Sequence, residues 1–248
     1  MLRLCFFVAL FSWVLIAADN DSARVPVLLE LFTSEGCSSC PPADRLLEML
    51  DQKQPLAGAD LIVLSEHVDY WDHLGWKDPF SSAQFTARQQ EYASKFQSDG
   101  VYTPELVVDG QFGFVGSDGR EAASAIQKAI RQRKIPIVIA SISHDGHQIT
   151  AHIDVPASDE RGRAVLYVAI ADNRAESQVS RGENSGHTLR HVGVTRVLKR
   201  IGTVDLSAAS SQEITLTANS GAVNGSRLVA FLQEAGAGCV LGVASRKF

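Results

Sequence analysis

The chain has 248 residues, 45% of them apolar and 21% charged, a globular balance with enough apolar surface for one or two cored domains. Its formal net charge of −5 excludes the basic footprint that a phosphate backbone requires, so no nucleic-acid partner is expected.

The N-terminus reads as a signal peptide over residues 1–18. Arg3 supplies a positive start, Leu4 to Ile16 is an uncharged apolar run, and Ala17-Ala18 offers small residues for cleavage before Asp19. The run is short for a bilayer span. An uncleaved anchor is the alternative, and either reading puts the folded chain outside the cytoplasm, periplasmic or secreted, with no stable membrane insertion after cleavage. Cleavage leaves 22 basic against 28 acidic residues and three cysteines, Cys37, Cys40 and Cys239, in a compartment where disulfides persist. Cys239, in Ala237-Gly-Cys-Val-Leu-Gly-Val-Ala244, reads as a small hydrophobe in a buried strand.

Val25 to Phe32 is a continuous apolar run with one Glu, a strand that turns at Thr33 to Gly36 into Cys37-Ser38-Ser39-Cys40. Leu46, Leu47, Met49 and Leu50 line one side of a helix from Pro41 to Gln52, and Leu61 to Leu64 reads as a second buried strand. Pro79 to Phe96 reads as a helix carrying Phe80, Phe85, Tyr92 and Phe96. Thr103-Pro104 precedes two short strands around an Asp109-Gly110 hairpin turn, and Ser117 to Arg133 closes the set as a helix with Ala122, Ala125, Ile126, Ala129 and Ile130 inward.

After Lys134 the pattern changes to short alternating runs, at 137–143, 148–155, 164–171, 192–198, 213–217 and 227–233, punctuated by Asp145-Gly146, Gly162, Asp172-Asn173 and Asn224-Gly225. These predict a small all-β sandwich-like domain over 135–248, packed on a first domain over 25–134.

The order β-α-β-α-β-β-α, with a cysteine pair after the first strand and Thr-Pro before the third, resembles the thioredoxin superfamily. Leu29 to Asp44 (LELFTSEGCSSCPPAD), His67-Val-Asp-Tyr-Trp-Asp72 with Leu74-Gly-Trp76, and Tyr102 to Gly110 (YTPELVVDG) are more narrowly similar to the exported family known as domain of unknown function 1223. The resemblance implies an α/β thioredoxin-like fold for residues 25–134 and a secreted or periplasmic address. It also implies a cis Pro104 lying against the cysteine pair. A trans proline opening an edge strand is the alternative from the residues alone.

A C-x-x-C spacing puts two sulfurs within bridging reach, and a helix N-terminus stabilises a thiolate. By analogy with the thioredoxin order, Cys37 is the nucleophile and Cys40 the resolving thiol. Pro41 and Pro42 start the regular helix at residue 41, with Cys40 near the cap and Cys37 a turn outside. Gly36 stands where thioredoxins carry Trp, and Ser38-Ser39 give no direction of electron flow. His67 follows the second strand and is a candidate base, proton shuttle or metal ligand, against a purely structural role. Glu35 is read either as a buried acid tuning Cys40 or as a solvated turn residue, and Asp44 and Arg45 as helix-surface charges. Glu183-Asn-Ser-Gly-His187-Thr-Leu-Arg190-His191 reads as packing against the first domain or as a substrate-facing loop. Asn20-Asp-Ser22 and Asn224-Gly-Ser226 match glycosylation acceptors.

Three functions compete. The first is a thiol–disulfide oxidoreductase using Cys37 and Cys40, with Pro104 and His67 in its site, on small thiols or an exported protein, and with no cofactor beyond the redox-active disulfide. The second is a copper-binding or metal-delivery protein through Cys37, Cys40 and His67. The third is a non-catalytic interaction module with a structural disulfide. The lack of a second cysteine pair excludes a four-thiolate zinc site.

Overall fold

The computed structural model describes residues 24–218 and 225–248. The signal-peptide reading of residues 1–18 and the acceptors Asn20 and Asn224 lie outside the described residues.

The elements follow the order β1 (Val25–Thr33), α1 (Pro41–Lys53), β2 (Ala59–His67), α2 (Ala83–Phe96), β3 (Glu105–Val108), β4 (Phe112–Val115) and α3 (Gly119–Ala129). Seven strands follow: β5 (Val138–Asp145), β6 (Gln148–Val155), β7 (Arg163–Gln178), β8 (Thr188–Asp205), β9 (Ser210–Thr217), β10 (Ser226–Gln233) and β11 (Val240–Lys247). The helix starts follow their caps. Ser82 accepts from Gln84 N and Asp118 from Arg120 N and Glu121 N, so α2 and α3 begin a few residues later than the apolar pattern suggested. The Asp109-Gly110 turn forms with both residues at positive φ.

The architecture is not the expected α/β thioredoxin-like domain followed by a small sandwich. Of the described residues, 46% are strand and 17% helix. Its main sheet has eight strands in the order β11-β10-β7-β8-β2-β1-β3-β4, and β5-β6-β9 form a separate three-stranded sheet. Strands from before and after Lys134 therefore share one sheet.

The join is a parallel contact of β8 with β2 at Ser65 and Val194. Every residue of β2 except Asp60 is buried, so its second edge needs a backbone partner rather than water. Local patterns record neither that need nor which distant strand meets it. The approach is close: Gly193 has φ +60°, and a Cβ there would stand 2.5 Å from the Val63 carbonyl oxygen.

Each face of the large sheet has its own cover. On one face, Leu28, Phe32, Ile62 and Leu64 of β1 and β2 join Ala169, Leu198, Val229 and Phe231 of β7, β8 and β10, with Phe85 and Tyr92 of α2. On the other, Leu29, Leu31, Leu61 and Val63 pack with Leu47 and Leu50 of α1 and Ala122 and Ile126 of α3. The three-stranded sheet covers the rest of that face, with Ile149, Ile153, Ile214 and Leu216 against Leu166, Val168, Leu228 and Ala230. Alternation along β7, with Leu166, Val168 and Ile170 on one side and Ala169 and Ala171 on the other, is what lets one strand serve both cores.

Under α2 lies a buried ionic cluster. Arg88 Nε donates to Glu30 Oε1 at 2.5 Å and stands 3.7 Å from Glu66 Oε1, while its Nη2 donates to Tyr92 OH at 3.0 Å and Gln233 Oε1 at 3.2 Å. Tyr92 OH donates to Glu30 Oε2 at 2.5 Å. Burial, and then the charge of Glu30, push the Glu66 carboxyl well above the usual range, with Arg88 only partly offsetting them. One guanidinium thus serves two buried carboxyls, and Glu66 is the one shifted toward its neutral form. Glu66→Gln should change the unfolding free energy at pH 7 by less than about 1 kcal/mol, whereas Arg88→Leu should cost about 3–5 kcal/mol by stranding Glu30. Denaturant titration of both variants checks this, and equal costs would overturn the neutral assignment.

Candidate functional site

β1 delivers Thr33, Ser34, Glu35 and Gly36, all buried, into the cysteine loop. Cys37 and Cys40 are joined as a disulfide. Cys37 N donates to Ser34 O at 3.2 Å and Cys40 N to Cys37 O at 3.2 Å. Helix α1 starts at Pro41 with Cys40 as its N-cap, and the two prolines fill first-turn positions that lack intrahelical N–H bonds anyway. At Gly36 a Cβ would stand 3.0 Å from Trp71 Cβ. Trp71, from the loop after β2, thus occupies the space beside the pair, and its indole donates to Thr103 Oγ1 at 2.8 Å.

The Thr103–Pro104 peptide is cis. Its segment touches the cysteine loop, because Ser39 Oγ donates to Thr103 O at 3.4 Å and lies 3.4 Å from Cys37 Sγ. Both cysteines have no exposed surface, although Ser38 and Ser39 between them are exposed.

The cover includes the β7–β8 hairpin tip, residues 179–187. Asn184 Nδ2 donates to Glu35 O at 2.8 Å and Cys37 O at 3.0 Å, and Ser38 N donates to Glu183 Oε2 at 3.1 Å. Of the two readings of the 183–191 segment, packing against the first half describes what the residues do here, and the packing falls on the cysteine loop itself.

Beneath the loop runs a chain of buried titratable groups. Glu35 accepts from Trp76 Nε1 at 2.8 Å and from Ser177 Oγ, and its Oε1 lies 3.3 Å from His191 Nε2. His191 Nδ1 lies 3.6 Å from Asp44 Oδ1, which accepts from Thr33 Oγ1 at 3.0 Å. Burial works against a charged His191 ring, but Asp44 and then Glu35 outweigh it, and its pKa is pushed up to about 10.

His67 is fully buried, with Nδ1 2.7 Å from Asp78 Oδ2, and the same oxygen accepts from Glu35 N at 2.8 Å. Burial pushes the Asp78 carboxyl up, but the charge and hydrogen bond of His67 bring it below its usual value. The His67 and His191 rings meet edge to face at 4.6 Å. His67 therefore reaches the cysteine loop through Asp78 and the Glu35 amide, and its ring contacts are Phe80 and His191.

Among the described residues no three His, Cys, Asp or Glu side chains are grouped as a metal ion would need. The sulfurs of Cys37 and Cys40 are bonded to each other, so these residues in this arrangement do not fit copper. Cys239 sits half-buried just before β11, its Sγ 3.6 Å from Gln132 Oε1, and burial raises its thiol pKa.

Asp44, Asp78, Asn184 and His191 complete a site that sequence reading assigned to Cys37, Cys40, Pro104 and His67. Asp44 carried a usable signal. It shares the buried stripe of α1 with Ala43, Leu47 and Leu50, where a surface charge does not belong. His191 alternates with buried Leu189 around exposed Arg190, a strand pattern that marks it as inward.

Residues 28–233 match the family model described as protein of unknown function (DUF1223), and the chain belongs to that family. No curated protein matches the chain. A crystal structure of an Agrobacterium tumefaciens protein is similar over 90% of this chain and 95% of its own, with 28% identity and a TM-score of 0.70. The sporulation control protein Spo0M of Bacillus subtilis matches 46% of this chain and 47% of its own at 13% identity and a TM-score of 0.32. OgpA of Akkermansia muciniphila matches 48% of this chain and 30% of its own at 15% identity and a TM-score of 0.26. Likenesses as low as the last two carry no argument. Among the described residues no helix is long and apolar enough to cross a membrane.

The His191 cluster makes stability depend on pH with a definite sign. The ring binds its proton more tightly in the folded chain than at its unfolded value of 6.5, so its contribution is complete below that value and is lost as pH rises through about 10. The thermal midpoint of the wild type should fall between pH 7 and pH 10.5. His191→Gln should be less stable at pH 7 and show a flatter profile over the same range. Parallel profiles for the two proteins would remove His191 from this role.

Proposed function

We propose that this member of the DUF1223 family is an exported thiol–disulfide exchange protein whose redox centre is Cys37–Cys40. The observation that carries the reading is the disulfide at the first turn of α1 with the cis Thr103–Pro104 segment against it. The buried Glu35, Asp44 and His191 beneath the loop support it as groups able to hold and move a proton.

In the reducing direction, the Cys37 thiolate attacks one sulfur of a substrate disulfide. That bond breaks, a mixed disulfide forms, and the first substrate thiolate leaves and takes a proton. The Cys40 thiolate then attacks Cys37 Sγ, closing the protein disulfide and releasing the second substrate thiolate. Two electrons pass from protein to substrate, and the reverse sequence oxidises a dithiol. Cys37 lies a turn outside α1, so the helix dipole, which acts within the first turn, helps it little. Exchange also requires that the tip carrying Glu183 and Asn184 moves off the loop.

Complete burial of both sulfurs favours a second reading, in which the disulfide is a structural clip in an interaction module. The reduction potential separates the two. A value between about −120 and −270 mV, measured by equilibration with glutathione or dithiothreitol, is the expected result for exchange. A value below about −300 mV marks a structural bond and overturns the exchange reading. Asn184→Ala should speed reduction by dithiothreitol about tenfold if the tip gates access, and an unchanged rate would show that it does not.

A further inference from the structure

Next to the cysteine loop, α1 and the paired strands β7 and β8 form a cleft of two neighbouring lobes, about 170 Å³ and about 260 Å³, the first reaching Pro41 beside Cys40. Glu48 and Arg190 line both lobes. Together the lobes fall in the size range of small-ligand sites. Asp44 and Arg45 line the first, and Arg174 and His191 the second.

The charges here are unevenly satisfied. Arg190 is paired with Glu176 at 2.8 Å. Arg45 and Arg174 have no ion-pair or hydrogen-bond partner among the described residues, so two guanidinium forks are free at opposite ends of the cleft. His191 lines the second lobe and is 97% buried, with its Nδ1 facing Asp44 Oδ1 at 3.6 Å.

Guanidinium forks match carboxylates in geometry. Asp44 and Glu48 in the same walls disfavour a multiply charged anion such as phosphate and favour a ligand that also carries an ammonium group. We infer that this cleft binds a small amino-dicarboxylate, an acidic amino acid or a short peptide with two carboxylates, placing those groups on Arg45 and Arg174 and its amine toward Glu48. The cleft shares Asp44 and His191 with the groups beneath the cysteine loop, but binding in it does not depend on the exchange reading.

Calorimetric titration of the purified protein with its disulfide intact tests the inference. S-methylglutathione and glycylglutamate serve as probes, neither with a thiol to exchange, and inorganic phosphate as the competitor. At least one peptide should bind one per chain with a Kd below about 1 mM, roughly −4 kcal/mol. The Arg45→Ala/Arg174→Ala variant should bind at least tenfold more weakly, while Arg131→Ala, an exposed site elsewhere, should bind as the wild type does. Both arginines of the pair are exposed, so an unchanged thermal midpoint shows that the variant is folded. No binding of either peptide up to about 10 mM, equal binding by the double variant, or phosphate binding as tightly as the peptides would each overturn the proposal.

Discussion

The pairing of β8 with β2 is the constraint on which the rest of the molecule depends. Through a register that touches at Ser65 and Val194, it turns two sets of strands into one sheet. It also fixes where the β7–β8 hairpin ends. That hairpin is paired from Arg163–Asp205 to Gln178–Thr188, so its tip projects past the sheet and lands on the cysteine loop. His191 lies on β8 two residues before Gly193, where the strand approaches Val63 closely. A side chain at Gly193 would push β8 away from β2 and separate His191 from Glu35 and Asp44 in one movement.

Both faces of the sheet bury charge, and they do it differently. Under α2, the Glu30–Arg88 pair is closed by Tyr92 and Gln233, and Arg88 also stands 5.1–5.3 Å from the Tyr92, Tyr167 and Phe231 ring centroids. That pair is closed among aromatic rings, while both carboxyl oxygens of Glu66 beside it have no hydrogen-bond partner among the described residues. On the opposite face, His67 Nε2, His191 Nδ1 and Ser65 Oγ have no hydrogen-bond partner among the described residues. Both faces thus hold buried polar atoms without a hydrogen-bond partner, at Glu66 on one and at His67, His191 and Ser65 on the other.

Much of the local structure was legible in the sequence. Apolar periodicity located α1 and β2, the Asp109-Gly110 dipeptide marked its turn, and the prolines at 41 and 42 put the helix start where it is. The architecture was not legible, because strand pairing across more than a hundred residues leaves no trace in any local window. A strand with both faces apolar, such as β2, says only that it is central, never which strand lies beside it. The site divided in the same way. Cys37, Cys40 and Pro104 announce themselves by motif, whereas Asn184 matters through a hydrogen bond to a carbonyl 147 residues away. Asp44 could have been found from its place on the apolar stripe of α1.

The burial of the disulfide bears on how any chemistry at Cys37 would be controlled. Asn184 holds the carbonyl oxygens of Glu35 and Cys37, and Glu183 holds the amide of Ser38, so the tip binds the loop mainly through its backbone. Backbone contacts of this kind read the shape of the loop rather than its side chains. A change in the loop's conformation on reduction would therefore alter all three hydrogen bonds together, and conversely a tip held down would favour the loop shape seen here, in which the sulfurs are bonded. By linkage, the factor by which a docked tip favours the disulfide equals the factor by which the disulfide favours docking. The cleft between α1 and β7–β8 lies next to the tip end of that same hairpin, so a ligand bridging Arg45 on α1 and Arg174 on β7 would tie the hairpin to the helix and act in the same direction.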